Sequence, residues 1–407
     1  MKKEIDDSKR RITQLRYLQA WETHAARLLG GWQPGIRLWE AKHSVGLHLW
    51  QDLQSAREIR TRLWELRVSR PDSAEVNDSV LPAIRQLACA QHDFELVAGI
   101  YLGVKKALAA AYREYLADTN ATWDAPSIDI LNRAAATKES QVEWAEAFLA
   151  SVATGESARV AARWEDYARQ VIAASGGVAG AGERTGELPG LPPGYGCRLP
   201  FAEALRDDRF AVQLHGFDRP PMEDEAAHTL WQFVSYTMEM QAAETLGSVL
   251  WEVEGMDWEF YYDIARHCYD ECRHSQMGEE RVRELGHELH EFPQFTGNFA
   301  WRQLYDPMRR YCMLTYIIEQ DSFALKHETY KNYVRNGDVT SAEAIMYDII
   351  DETMHVRWGQ KWVPALIEHM GEHKGLEEVI GECRQAVMEN SLAPAQRAYG
   401  HKDQSAN

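Results

Sequence analysis

The sequence predicts an all-α protein with two helical bundles joined by a segment rich in glycine and proline. Apolar residues recur every three or four positions over most of the 407 residues, which is the spacing of amphipathic helices. Turn signals such as Arg70-Pro71-Asp72 separate these periodic segments. Between the two halves, glycines and prolines are too dense for a helix interior. Long helices with short connections on either side indicate two bundles.

The first predicted bundle covers residues 1–173. Its apolar positions, among them Leu15, Leu18 and Trp21 in the first helix, repeat with the helical period. Ser127 follows Pro126 and is a plausible N-cap for the last helix. The helices are predicted at about 15–28, 39–59, 81–116 and 127–152.

A linker or extended crossing segment is predicted at residues 174–221, where a glycine run from Gly176 to Gly182 precedes a Pro/Gly cluster. The second bundle is predicted at 222–393, followed by a polar tail at 394–407. The turn between its last two helices is marked by Asn336-Gly337-Asp338. Its helices are predicted at about 223–254, 257–285, 300–335 and 340–370.

Charge and composition narrow the classes of function. The formal net charge of −18 argues against nucleic acid as a partner, because phosphates would be repelled unless a local basic patch existed. No apolar run approaches the roughly 20 residues of a membrane span, and the charged N-terminus lacks the apolar core of a secretory signal. Six scattered cysteines without a Cys-x-x-Cys motif favour free thiols in a reducing compartment. We therefore expect a cytoplasmic protein without membrane contacts.

Two short strings carry the chemistry of the second half: Asp270-Glu271-Cys272-Arg273-His274 and Asp351-Glu352-Thr353-Met354-His355. Each contains Glu-x-x-His, which on a helix directs a carboxylate and an imidazole from one face toward the same point. A single match of this kind is weak, because Glu and His are common on surfaces. Two matches in a four-helix frame are far more specific.

A two-metal bundle needs one further inward Glu from the helix that precedes each Glu-x-x-His. Glu239 and Glu319 meet this requirement, since they precede Glu271 and Glu352 by 32 and 33 positions. Both lie among apolar residues, where an unpaired carboxylate is costly. Glu244 is a rival to Glu239, but its spacing to Glu271 is shorter than that of the other half.

The predicted metal ligands, which are also the predicted catalytic residues, are Glu239, Glu271, His274, Glu319, Glu352 and His355. Oxygen donors with imidazole suit Fe or Mn, and Zn less well. The donor set does not choose between two Fe ions, a Mn/Fe pair and a Mn/Mn pair. The alternative is a bundle with buried Glu–His pairs and no metal.

Two further residues are predicted near the site. His267 shares the helix face of Glu271 and His274 and is predicted as a supporting group or a further ligand. Tyr316 lies one turn before Glu319 and is predicted as an electron relay. For both residues, a packed core side chain is the alternative.

These paired Asp-Glu-x-x-His strings resemble those of the ferritin-like di-iron-carboxylate superfamily, over about residues 222–370. The wider pattern is similar to an uncharacterised bacterial ferritin-like family. The resemblance implies a ferritin-like four-helix bundle, two iron ions and O2 as co-substrate. It also implies that Asp270 and Asp351 orient the ligand histidines. A homodimer is a further expectation from the superfamily alone.

From this resemblance we expect an O2-dependent non-heme di-iron oxidase or oxygenase acting on a small organic substrate, with hydroxylation, N-oxygenation and desaturation all open. The electron donor would be a separate ferredoxin or reductase, because the chain has no glycine fingerprint for a flavin or nicotinamide. The alternatives are a ferroxidase or other iron-handling protein, a tRNA-modifying hydroxylase, and a metal-free scaffold.

The first bundle aligns with the second as a degenerate copy. A shared Val-x-Trp frame sets Lys138 at the position of Glu352 and Gln141 at that of His355, and Asp52 aligns with Glu271. A lysine in place of a carboxylate ligand would repel a metal ion. The first bundle is therefore predicted to be metal-free, unless the alignment only reflects two unrelated amphipathic helices.

Overall fold

The structure is a computed structural model that describes residues 2–185, 187–213, 220 and 224–390, with the backbone alone for residues 2–7. The predicted tail at 394–407 lies outside these residues, as do parts of the predicted linker and the first positions of the second bundle. Within the described ranges the fold is all-α, as the sequence predicts. No described helix is both long and apolar enough to cross a membrane.

Fifteen α-helices are formed by the described residues. They are α1 Lys2–Trp32, α2 Trp39–Glu65, α3 Ala74–Leu87, α4 Asp93–Val97, α5 Lys106–Asp118, α6 Ala125–Val152, α7 Glu156–Ala174, α8 Glu225–Thr237, α9 Met240–Glu252, α10 Trp258–Glu284, α11 Gly297–Arg302, α12 Pro307–Cys312, α13 Gln320–Asn336, α14 Val339–His369 and α15 Leu376–Asn390. Two short strands, β1 Val212–Gln213 and β2 Gln294–Phe295, pair in parallel. Short 3₁₀ turns occupy Gln33–Gly35 and Leu289–Glu291.

The chain forms two compact units. Unit 1 consists of residues 1–35 and 47–200, and unit 2 consists of residues 36–46 and 201–407. Unit 1 therefore includes α1, α3–α7 and most of α2, whereas α8–α15 belong to unit 2.

In unit 1 the predicted helix at 81–116 is wrong as a single element. The chain leaves the helix after Leu87 and re-enters at Asp93, where His92 and Glu95 form a reciprocal capping box. A further helix, α7, follows the four that were predicted. The capping box of His92 and Glu95 favours the start of a new helix at Asp93, although the apolar residues around it keep the helical spacing.

In unit 2 two predicted helices are each divided. The segment predicted at 223–254 breaks at Met238 and Glu239, between α8 and α9. The segment predicted at 300–335 breaks before Pro307, because Asp306 accepts a hydrogen bond from the Arg309 amide and caps a new helix. Helix α15 is additional to the prediction.

Each unit contains one π-helical segment, and each ends at a charged residue. In unit 1 the segment Ala98–Lys105 joins α4 to α5, and in unit 2 the segment Met313–Glu319 joins α12 to α13. The i→i+5 pattern changes which side chains face inward and is frequent at functional sites. Lys105 and Glu319 are both buried as a result.

Two glycines allow close packing around the interior of unit 2. A Cβ at Gly359 of α14 would lie 2.3 Å from the Thr315 Oγ1 atom in the π-helical segment. A Cβ at Gly278 of α10 would lie 2.7 Å from the Phe233 carbonyl oxygen of α8. These contacts bring α14 and α10 against the elements that carry the remaining candidate ligands.

Candidate metal centre

Helices α10 and α14 present matched triads to the interior of unit 2. His267, Glu271 and His274 on α10 have the same offsets as Asp348, Glu352 and His355 on α14. Positions separated by three, four and seven residues share one helix face. All six residues are buried. The two helices therefore supply six potential ligands from two facing stripes.

The first group of donors consists of His267, Glu271, Glu319 and His355, whose ligand atoms lie within 4.8 Å of one another. The Nε2 atom of His267 lies 2.9 Å from Oε1 of Glu319 and 3.3 Å from Oε1 of Glu271. Nδ1 of His355 lies 3.3 Å from the same Glu271 oxygen. The rings of His267 and His355 are stacked, with centroids 3.7 Å apart. Two imidazoles and two carboxylates thus converge on one point.

The second group is centred on His274. Its Nδ1 atom lies 3.1 Å from Oε2 of Glu239, 3.8 Å from Oε2 of Glu271 and 3.6 Å from Oδ1 of Asp348. His274 forms one cluster with Glu239 and Glu271 and another with Asp348 and Glu352. Glu271 has one oxygen in each donor group. It is therefore the carboxylate that would bridge two ions.

The aspartates before the two Glu-x-x-His glutamates pair across the helices. Oδ2 of Asp270 lies 3.4 Å from Nε2 of His355, and Oδ2 of Asp351 lies 3.3 Å from Nε2 of His274. Arg273 donates to both aspartates, at 2.5 and 3.1 Å. Each histidine is thus oriented from its Nε2 side, which leaves Nδ1 directed at the donor group.

Several buried atoms of the cluster form no well-directed hydrogen bond with any described residue. They are Glu239 Oε2, His267 Nδ1, His274 Nδ1, Glu319 Oε2 and His355 Nδ1. Buried polar atoms without partners are costly and rare in folded proteins. Four of the five, those of Glu239, His274, Glu319 and His355, belong to predicted ligands. The donors are hard oxygens and imidazoles, so the residues fit divalent Fe or Mn.

Lys326 on α13 enters the second donor group. Its Nζ atom lies 2.6 Å from Oε1 of Glu352 and 2.7 Å from Oδ2 of Asp348. Asp348 also accepts a 2.6 Å hydrogen bond from the Tyr236 hydroxyl. Ser322 lies within 3.4 Å of the other Glu352 oxygen. Among the described residues no lysine or arginine lies within ion-pair distance of Glu319 or Glu271 of the first group, although both carboxylates raise the pKa of the buried Arg302 against the lowering effect of burial.

Burial and crowding of charge perturb the titration of the cluster. Burial raises the pKa of Glu239 to about 7 and that of Glu352 to about 8, although His274 and Lys326 respectively oppose the shift. Burial by itself would lower the pKa of His267, but the Glu319 and Glu271 carboxylates raise it to about 9. Such shifts mark an excess of carboxylate charge that a bound cation would relieve.

The structure brings all six predicted ligands together, with Glu239 at the edge, where its side chain is 25% exposed. His267 lies in the first donor group itself rather than only beside it. Glu244 is elsewhere, in a buried ion pair with Lys42 and Arg206. Tyr316 is half-buried. Burial, followed by Cys312 and Glu377, raises its pKa.

Sequence reasoning missed Asp348 and Lys326. Asp348 had a readable signal, because its offsets to Glu352 and His355 repeat those of His267 to Glu271 and His274. Lys326 had none, since a long side chain on a separate helix reaches the site only through the tertiary packing.

Unit 1 contains a buried cluster of charged side chains. Lys138 Nζ lies 2.5 Å from Asp52 Oδ1 and 2.9 Å from Glu22 Oε2, and Lys105 Nζ lies 2.8 Å from Asp52 Oδ2. All four side chains are fully buried. Lys105 and Lys138 are 33 residues apart, as are Glu319 and Glu352 in unit 2. Lys138 is the residue that the alignment of the two halves sets at the position of Glu352.

A match to known proteins is found for the second half of the chain. A family described as "Protein of unknown function (DUF455)" matches residues 218–401. The matched span contains the whole of α8–α15, and hence every donor residue of unit 2. No curated protein and no solved structure matches the chain.

Proposed function

We propose that unit 2 is a ferritin-like bundle with a two-metal carboxylate–histidine centre and that the protein is an O2-dependent di-iron oxidase or oxygenase of a small organic substrate. The observation that carries this proposal is the pair of donor groups that share Glu271. The unpartnered Nδ1 atoms of His274 and His355, both directed at these groups, support it. The resemblance in the two Asp-Glu-x-x-His strings supplies the expectation of iron and O2.

A donor set rich in carboxylates, with imidazoles and no thiolate, suits Fe and Mn, and the resemblance to the di-iron-carboxylate superfamily is the reason to propose iron. Cys272 follows Glu271 directly, but no cysteine belongs to the donor groups among the described residues. Two ferrous ions, when bound, supply the electrons that reduce O2. A Mn/Fe or Mn/Mn pair uses the same donors and is separated from iron by metal analysis.

The residues of the chain position, orient and shield the centre. Asp270 and Asp351 hold the Nε2 atoms of His355 and His274, so that each Nδ1 is available as a ligand. Trp358 packs on the His355 ring with centroids 5.8 Å apart, and Tyr311 packs near His267. These rings exclude water on that side. Access is left at Glu239, whose side chain is 25% exposed and lies at the α8–α9 break.

We also propose that unit 1 is a degenerate copy of unit 2. The equal Lys105–Lys138 and Glu319–Glu352 spacings support this, as do the two π-helical segments that end at Lys105 and Glu319. His48, four residues before Asp52, corresponds to His267, four residues before Glu271. In this proposal two ammonium groups replace the cations that unit 2 binds from solution.

The test is anaerobic Fe(II) loading of the wild type and of a Glu271→Ala/His355→Ala variant, followed by exposure to O2. We expect the wild type to bind about two irons per chain, to consume O2 and to develop new near-ultraviolet or visible absorption. The variant should lose both the iron and the absorption. If neither protein binds iron or manganese, the proposal is wrong and the buried Glu–His cluster is structural.

The same iron-loaded protein can be used to distinguish the proposed function from iron storage and from tRNA modification. Storage would take up iron far beyond two per chain when excess Fe(II) and O2 are supplied. A tRNA-modifying hydroxylase would retain tRNA at low salt despite the net charge of −18. An external electron donor is tested by adding a ferredoxin–reductase pair and measuring whether O2 consumption continues beyond a single turnover.

A further inference from the structure

The two donor groups of unit 2 differ in one respect that bears directly on metal binding. In the first group, His267, Glu271, Glu319 and His355, the carboxylates have imidazoles within hydrogen-bond distance, and the buried guanidinium of Arg302 acts on Glu319 and Glu271 only from beyond ion-pair distance. In the second group, the ammonium of Lys326 contacts both Asp348 and Glu352. The two positions are therefore unequal before any metal binds.

The contacts of Lys326 are those of a bound cation. Nζ lies 2.7 and 2.8 Å from the two oxygens of Asp348 and 2.6 Å from Oε1 of Glu352. Its side chain is only 14% exposed, so little water competes with these contacts. Three charge-assisted contacts in a buried setting are much stronger than a surface pair.

We propose that Lys326 is an internal cation that competes with the second metal ion for Asp348 and Glu352, so that the centre fills in two steps of unequal affinity. This inference rests on the proposed function and identifies which position fills first. The His267–Glu271–Glu319–His355 group binds the first ion. The second ion, held by His274, Glu239 and the shared Glu271, must share or displace the lysine contacts on Asp348 and Glu352.

The charges of the cluster support this assignment. Five carboxylates meet there, with Lys326 as the ammonium in direct contact with two of them. They are Glu239, Glu271, Glu319, Asp348 and Glu352. Removing the lysine leaves the second group with more negative charge and with two carboxylates free to bind a metal. Lys326 is thus a positioning residue that sets the occupancy of the centre, and α13 carries it one helical turn beyond Ser322.

The test is anaerobic equilibrium dialysis of the full chain against Fe(II), which gives the two stepwise affinities without turnover. We expect the wild type to bind one ion tightly and the second more weakly. Lys326→Met should tighten the second step by at least about tenfold, because an opposite charge at this distance changes the affinity of a carboxylate for a cation by roughly one to three powers of ten. The first step should stay unchanged.

Two controls make the result specific. Lys326→Arg retains the cation and should keep the weak second step. Lys331→Met removes another lysine of α13, which pairs with the exposed Glu328 at 3.0 Å, and should change neither step. Circular dichroism checks the fold of each variant. If Lys326→Met does not fold, Lys326→Gln, which keeps a polar amide beside the carboxylates, takes its place.

The outcomes distinguish the two proposals. If Fe(II) binds in two steps and the second is the same in the wild type and in Lys326→Met, the inference about Lys326 is wrong while the proposed function stands. If no variant binds Fe(II), the proposed function fails and the inference fails with it.

Discussion

Unit 1 and unit 2 each contain a buried cluster of charged side chains, and the two clusters balance their charges differently. In unit 1, Glu22 and Asp52 face Lys105 and Lys138, so two negative groups meet two positive groups. In unit 2, five carboxylates and three histidines face a single contacting lysine, Lys326. The carboxylates of the unit 1 cluster are therefore matched in number by lysines, whereas those of the unit 2 cluster outnumber the one lysine that contacts them.

The hydrogen bonds of the two clusters reflect this difference. In unit 1, Lys105 also donates to Gln141 at 2.9 Å, and the Tyr112 hydroxyl donates to Glu22 at 2.6 Å. The remaining oxygens Glu22 Oε2 and Asp52 Oδ2 lie 2.9 and 2.8 Å from a lysine Nζ. In unit 2, the Nδ1 atoms of His274 and His355 lie 3.1 and 3.3 Å from a carboxylate oxygen without a well-directed hydrogen bond. A buried network is stabilising when each member is satisfied and costly when it is not. The comparison teaches that buried carboxylates in an all-helical unit can be paired with lysines, as in unit 1, or grouped with histidines, as in unit 2.

The largest effect on stability is expected from removing one of the two buried lysines of unit 1. Lys138→Met leaves Glu22 and Asp52 buried with Lys105 alone, and removing one partner of a buried ion pair costs about 3–5 kcal/mol. Hydrogen exchange read by mass spectrometry should show faster exchange in α2 and α6. Adding Glu22→Gln removes one carboxylate as well and should restore part of the loss. Equal exchange in the wild type and Lys138→Met would contradict the internal-cation interpretation.

A smaller effect is expected from His48, which the proposed duplication sets at the position of His267. Burial, reinforced by Lys105, lowers the pKa of His48 to about 3. Between its ordinary pKa of 6.5 and about 3, the unfolded chain binds a proton that the folded unit does not, so stability falls as the pH falls through this window. The free energy of unfolding of the wild type should decrease more steeply than that of His48→Gln, by up to about 1.4 kcal/mol per pH unit.

Denaturant unfolding at pH 7, 6 and 5 measures this difference, because every other titrating group is common to both proteins. Parallel pH dependences would show that His48 is protonated inside the folded unit. That result would remove the electrostatic contrast between His48 and His267.

The smallest effect is expected from removing the N-cap of α14, which should lower stability without changing iron binding. Asp338 caps α14 by accepting a hydrogen bond from the Ser341 amide at 3.1 Å, and Arg281 donates to it as well. Asp338→Ala should cost about 1 kcal/mol of stability. Iron content should stay at the wild-type value, because the cap lies ten residues from Asp348 on the same helix. A loss of iron without a loss of stability would show that the centre depends on the exact start of α14.

The sequence was sufficient for the parts of the fold and site that depend on local periodicity. The all-α class followed from the helical period, and Glu271, His274, Glu352 and His355 lie together because i and i+3 share a helix face. The breaks at Glu239 and before Pro307 were harder to foresee. Met238 and Glu239 are good helix formers, so that break arises from tertiary packing rather than from propensity.

Asp348 and Lys326 mark two different limits of sequence reasoning. Asp348 stands alone between Tyr347 and Ile349, and only comparison with the other helix reveals its role. Lys326 lies 22 and 26 residues before its two carboxylate partners, on another helix. Its contacts arise from the packing of α13 against α14, which no local pattern encodes.

The most direct test of the contrast between the units is the iron content of matched single variants after anaerobic loading. Glu271→Gln and Asp52→Asn each neutralise a buried carboxylate of one unit, and the proposed duplication aligns these two residues. We expect the wild type and Asp52→Asn to bind about two irons per chain and Glu271→Gln to bind less than about one, because Glu271 serves both donor groups. Iron retained by Glu271→Gln, or lost from a folded Asp52→Asn, would contradict the assignment of the metal centre to unit 2.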